Sequence, residues 1–142
     1  MTIQSGGPQV SGIQLVASGQ VEFAMAHADE VLMARAQGIP VVAIAAPLQD
    51  NPGAFMSHAE NKMERIEDLA GKTTFIVPGQ PFWNYILNMY DLKDVKELAY
   101  TGSMANFIAD KTSYTQGYVT NEAYALAQEG IDFNSMLISE AT

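Results

Sequence analysis

Six consecutive apolar residues, Val41-Val-Ala-Ile-Ala-Ala46, follow Gly38 and Pro40 and constrain the fold more than any other stretch. A run of that length between turn residues suits a β-strand buried on both faces of a parallel sheet. The residues before it read as two βα units. Gly6, Gly7 and Pro8 break the chain ahead of a periodic apolar set, Val10, Ile13 and Ala17, which Gly19 closes. Glu22 to Ala26 is then expected as a strand. His27-Ala-Asp29-Glu30 opens a second helix that ends at Gly38. Open α/β sheets bind small molecules in the crevice beyond the carboxyl ends of their strands, where such junction loops lie.

The same alternation continues downstream. Gln49-Asp-Asn-Pro-Gly53 is a dense turn signal leading into a short strand, Ala54 to Ser57. The polar stretch 59–67 is the natural boundary, dividing the chain into a partial first lobe, 1–57, and a second lobe, 58–142. Ile66 to Gly71 reads as one helical turn and Thr73 to Val77 as a strand. Pro81 stands where a helix running to Tyr90 begins, and proline's missing N–H costs nothing at that position. Val95 to Leu98 and Tyr114 to Val119 are expected strands. Between them Ser103 caps a helix whose apolar face is Met104, Phe107 and Ile108. A helix from Asn121 to Glu129 and a last strand, Met136 to Ile138, complete an α/β pattern with mostly parallel sheets and flanking helices.

Composition removes several function classes. Seven Lys and Arg against sixteen Asp and Glu give a net charge of −9, which disfavours binding to a phosphate backbone. The absence of cysteine excludes disulfides, thiolate metal sites and cysteine nucleophiles. No apolar run approaches the length of a membrane-spanning helix, and residues 1–10 carry neither the basic nor the apolar region of a signal peptide. The two histidines, His27 and His58, lie 31 positions apart with no motif around them, so no metal site is expected. No serine has a nucleophile-elbow setting. The glycines near residue 6 do not match the dinucleotide fingerprint, so neither catalysis nor a bound cofactor is expected.

Candidate binding residues sit at the junctions. Gly6 and Gly7 either shape a tight turn or offer backbone N–H groups to a ligand. Asp29 is expected as a helix cap. Gln80, Phe82 and Trp83 stand at the start of an aromatic helix, where rings can either fill the core or stack on a flat ligand. Tyr118, Asn121 and Glu122 follow a strand; Glu122 either complements the helix dipole or accepts hydrogen bonds from a ring amine. Tyr100-Thr-Gly-Ser103 forms a further polar junction.

An ordered series of short motifs resembles the periplasmic solute-binding proteins of ABC importers. The resembled branch binds thiamine-pyrimidine precursors, riboflavin, nitrate, sulfonates and taurine. The residues that carry the resemblance are Gly6-Gly-Pro8, Gln14-Leu-Val-Ala-Ser-Gly19, Ala28-Asp-Glu-Val-Leu32 and Gly38-Ile-Pro-Val-Val-Ala43, then Ile66-Glu-Asp-Leu-Ala-Gly71, Pro78-Gly79 and Gln116-Gly-Tyr-Val-Thr-Asn-Glu122. It implies a two-lobe, type II periplasmic-binding-protein-like fold, a small heteroaromatic or anionic ligand between the lobes, an ABC permease as partner and an extracytoplasmic location. It also implies that the His27 to Glu30 loop faces the ligand and that a hinge lies near residues 49–59. Members of the family are considerably longer, so the chain is expected to be truncated at both ends and its first lobe incomplete. An incomplete lobe with an exposed strand edge is expected to form a homo-oligomer through residues 1–57. Two other readings stay open: an effector-binding domain of a transcription regulator, and an enzyme of thiamine-precursor metabolism.

Overall fold

The computed structural model describes residues 2–141, and the chain divides into two compact units, residues 1–47 and 48–142. The first unit holds two helices, α1 (Gly12–Ala17) and α2 (Ala28–Ala36). Ser11 caps α1 by accepting the Gln14 N–H at 3.3 Å. Both helices end on a glycine in the left-handed region, Gly19 at φ +71° and Gly38 at φ +80°. In each case the following residue reaches back: the Gln20 N–H donates to the Leu15 carbonyl and the Ile39 N–H to the Ala34 carbonyl. Glycine accepts this conformation without a Cβ clash, which is why the sequence marks both helix ends so clearly.

The strands expected in this unit do not form. Residues 22–26 and 41–46 belong to no ladder, and only Ala34 and Val41 are buried among the unit's described residues. The run Val41–Ala46 has the composition of a buried strand, but a strand exists only by hydrogen bonding to a neighbour. Val42 and Ile44 are 77% and 75% exposed.

The second unit is built on a five-stranded sheet: β1 (Gly53–His58), β2 (Thr73–Ile76), β3 (Lys96–Ala99), β4 (Tyr114–Tyr118) and β5 (Phe133–Leu137), in the order β3-β2-β4-β1-β5. β2 pairs parallel with β3 and β4, whereas β1 pairs antiparallel with β4 and β5. Four strands therefore point one way and β1 alone is reversed. The short strand that the sequence reading assigned to the first lobe is this β1. It is paired on both sides and buried along its whole length.

Alternation along the strands makes two cores. Phe55, Ile76, Tyr114 and Met136 face Ile66 and Leu69 of a 3₁₀ turn (Ile66–Leu69) and Trp83 and Ile86 of α3 (Pro81–Met89). Ala54, Met56, Phe75 and Val77 form the other cluster with Phe107 of α4 (Ala105–Ala109) and Leu126 of α5 (Glu122–Gln128). A final turn of helix, α6 (Ile138–Ala141), follows β5. The result is a three-layer α/β unit. Among the described residues no helix is long and apolar enough to cross a membrane.

Candidate functional site

The connections of the second unit reverse direction at one point of the sheet. β2 leads through α3 to β3 on one side, whereas β4 leads through α5 to β5 on the other. β2 and β4 are adjacent, so the winding direction reverses between them. A crevice opens beyond the carboxyl ends of such a strand pair. The loops 77–80 and 118–121 follow these two strand ends. The two strand ends are tied by a side chain: the Val77 N–H donates to Oε1 of Gln116 at 2.9 Å, continuing the pairing past the last ladder rung.

Glu122 anchors the β4 side. It is 6% exposed, and its carboxylate accepts three hydrogen bonds: the Tyr100 hydroxyl at 2.8 Å, the Tyr118 N–H at 2.7 Å and the Asn121 Nδ2 at 3.2 Å. A buried carboxylate needs such donors, because an uncompensated one would be strongly destabilising. Gly117 makes the arrangement possible. A Cβ there would lie 2.9 Å from both Cβ and Cγ of Glu122. Glycine inside a strand thus lets the glutamate lie directly on the backbone. Burial, the hydrogen bond to Glu122 and the charge of that carboxylate together push the Tyr100 phenol well above its ordinary range.

Beside this anchor is a cleft of ≈340 Å³ lined by Tyr100, Met104 and Glu122, by Ile108 of α4 and by Ala125 and Leu126 of α5. The Tyr100 to Ser103 junction and the Asn121-Glu122 pair therefore meet at one cavity. The glutamate's lone pairs are largely occupied by the protein's own donors, so its first role is to fix the loop that carries Tyr118 and Asn121.

The remaining candidates separate clearly. Gln80 precedes α3 and is half-buried, its carbonyl accepting from the Trp83 N–H at 3.2 Å. Trp83 is a core residue, 3% exposed, with its ring edge-on to Phe55 at 5.8 Å. Phe82 is half-buried, 6.4 Å from the same phenylalanine ring, and keeps a face outside the core. In the first unit Gly6 and Gly7 are exposed, and the Gly7 carbonyl accepts the Val10 N–H in a tight turn. His27, rather than Asp29, occupies the cap position of α2, and its N–H donates to Oε2 of Glu30 at 3.0 Å. Asp29 lies in the first turn of α2 and accepts the Glu30 N–H at 2.9 Å. Likewise Met104, not Ser103, caps α4, although Ser103 Oγ accepts the Ala105 N–H.

Two contributors escape a sequence reading, Gln116 and the spatial role of Gly117. A glycine within the strand Tyr114–Tyr118 is the one available signal for the second. His58, the other histidine, is a core residue: it stacks on Phe107 at 4.4 Å and its Nε2 donates to the Phe107 carbonyl at 2.9 Å. Among the described residues no cluster of His, Asp and Glu is placed to hold a metal ion.

Comparison with known proteins agrees with this architecture. The chain is 30% identical over 129 residues to the riboflavin-binding protein RibY of Chloroflexus aurantiacus, covering 84% of this chain and 36% of that protein. It thus spans about a third of the relative's length. The family described as NMT1/THI5 like, whose fold is periplasmic-binding-protein-like, matches residues 1–142. That match runs the length of the sequence, and the chain belongs to this family of solute-binding proteins.

Proposed function

We propose that this chain is part of an extracytoplasmic solute receptor that hands a small nutrient to an ABC permease, by binding and release without chemistry. The observation that carries the reading is the winding reversal between β2 and β4, with Gln116 and Glu122 ordering the loops on its two sides. Family membership and a relative named for riboflavin binding support a solute-binding role. The ligand we favour is a flat heteroaromatic ring of the pyrimidine or flavin type, with an anionic nutrient as the alternative. Phe82 supplies a ring face, Gln80, Tyr118 and Asn121 supply polar contacts, and Glu122 holds the loop while leaving one acceptor position for a ring N–H. Trp83 supports Phe82 from the core side. Within the first unit, taken by itself, Gly6, Gly7, His27 and Asp29 are proposed as polar positions for a ligand.

Isothermal titration with riboflavin, an aminopyrimidine and an alkyl sulfonate tests this directly. Saturable binding of a ring compound, weakened at least tenfold by Phe82→Ala, is the expected result. Heat confined to the sulfonate would reject the aromatic preference. An enzyme of thiamine-precursor metabolism is the competing reading. Formation of a new product from a bound pyrimidine would decide for it.

A further inference from the structure

We infer that Gln116 is a specificity residue of the β2–β4 crevice, its side-chain NH2 donating to an uncharged acceptor on the ligand, a ring carbonyl or an unprotonated ring nitrogen. This role rests on the solute-receptor reading above and gives it a chemical class. The partner of the amide fixes its orientation. The Val77 N–H can only donate, so the atom it meets at 2.9 Å must be the oxygen, Oε1. Nε2 is therefore the other arm of the amide, a donor and not an acceptor. Among the described residues it donates to none. Nor is it one of the buried polar atoms left without a partner, which are Thr74 Oγ1 and Trp83 Nε1. The donor is thus accessible. Val77 is the first residue past β2, so its bond to Gln116 holds the amide between the two strand ends from which the crevice opens.

Register puts the amide on the same side of the sheet as Phe82. Gln116 stands opposite Phe55 in the antiparallel pairing of β4 with β1, so these two side chains share a face. The Phe55 ring lies 6.4 Å from that of Phe82, which offers the stacking surface. A flat ring laid on Phe82 would meet Gln116 at its edge. Charge then selects among acceptors. Residues 77–83 and 116–122 contain no Lys, Arg or His and one carboxylate, Glu122. A sulfonate or nitrate would lose hydration here without a counter-charge, whereas a carbonyl oxygen or ring nitrogen needs only a neutral donor. A buried or half-buried donor also discriminates against ligands that leave it unmatched.

Calorimetric titration with riboflavin, an aminopyrimidine and an alkyl sulfonate, with Gln116→Glu and Gln116→Met beside the wild type, tests the inference. The glutamate keeps an oxygen for the Val77 N–H and loses the NH2, whereas the methionine loses both. Urea midpoints followed by Trp83 emission report the fold of the second unit, because that ring lies in its core. The wild type is expected to bind at least one of the two ring compounds. Gln116→Glu should bind it about tenfold more weakly with the wild-type urea midpoint, and Gln116→Met should lose a similar factor with a lowered midpoint. Either variant, folded and binding as tightly as wild type, overturns the inference and leaves the receptor reading standing. Binding confined to the sulfonate also overturns it. A wild type that binds none of the three compounds removes the receptor reading, and the role of Gln116 with it.

Discussion

Three donors converge on Glu122, and removing any one should be measurable. Tyr100→Phe leaves the buried carboxylate one donor short, at an expected cost of about 1–3 kcal/mol in urea denaturation near neutral pH. The same bond carries a pH signature. Tyr100 ionises less readily in the folded chain than at its ordinary value of 10.0. Its stabilisation is therefore complete below that pH and is lost as pH rises beyond it, when the unfolded chain releases the proton first. Wild type should lose stability above about pH 10 more steeply than Tyr100→Phe does; parallel curves would contradict the assignment. Gly117→Ala tests the space instead. Its Cβ would press on Cβ and Cγ of Glu122, and overpacking of this kind costs about 1–3 kcal/mol. In an Glu122→Ala background the penalty should shrink, because the Cγ contact is gone. Equal penalties in both backgrounds would show that Gly117 is needed for another reason.

At the level of elements, Asp68 shows how a side chain sets the start of a turn. Its Oδ2 accepts the N–H groups of Glu64 at 2.9 Å and Arg65 at 3.2 Å, at the entry to the 3₁₀ turn. Burial opposes its ionisation, but those two amides and the nearby Lys62 and Arg65 charges prevail and hold its pKa below 3.8. A depressed carboxylate stabilises above its unfolded pKa and loses that contribution as pH falls through the folded value. Asp68→Asn should cost roughly 1 kcal/mol at pH 7, the difference between charge-assisted and neutral hydrogen bonds, and little at about pH 2. A cost that is the same at both would argue against the charge. The element pattern was largely legible: Pro81 at the first position of α3, glycine after α1 and α2, and strands at β2 and β4 all follow from local rules. Direction was not. Nothing in Gly53–His58 says that it runs against its neighbours, because that depends on partners 60 to 80 residues away. The same gap explains Val41–Ala46: composition reports what a segment suits, whereas pairing requires a neighbour to be present. The site was half legible on similar grounds. Glu122 and Asn121 stood out at a helix start, but Gln116 acts only through a β2 amide, and Trp83 looks identical in sequence whether it meets a ligand or the core.

The whole molecule divides stability unevenly. All five strands, both apolar clusters and nearly every buried residue belong to residues 48–142, whereas the first unit buries only Ala34 and Val41 among its described residues. Burial of apolar side chains is the main favourable contribution to folding, at roughly 1.5–3 kcal/mol for each large one. A helix pair as short as α1 and α2 is marginal without it. Residues 48–142 should therefore fold without the rest, giving a cooperative thermal transition, blue-shifted Trp83 emission and protected amides in β1 and β4. Residues 1–47 alone should show only weak helical signal and no cooperative melt at low concentration. A cooperative, concentration-independent melt of residues 1–47 would show that the first unit has a core of its own. A fragment 48–142 that stays unfolded would show that its core depends on residues 1–47.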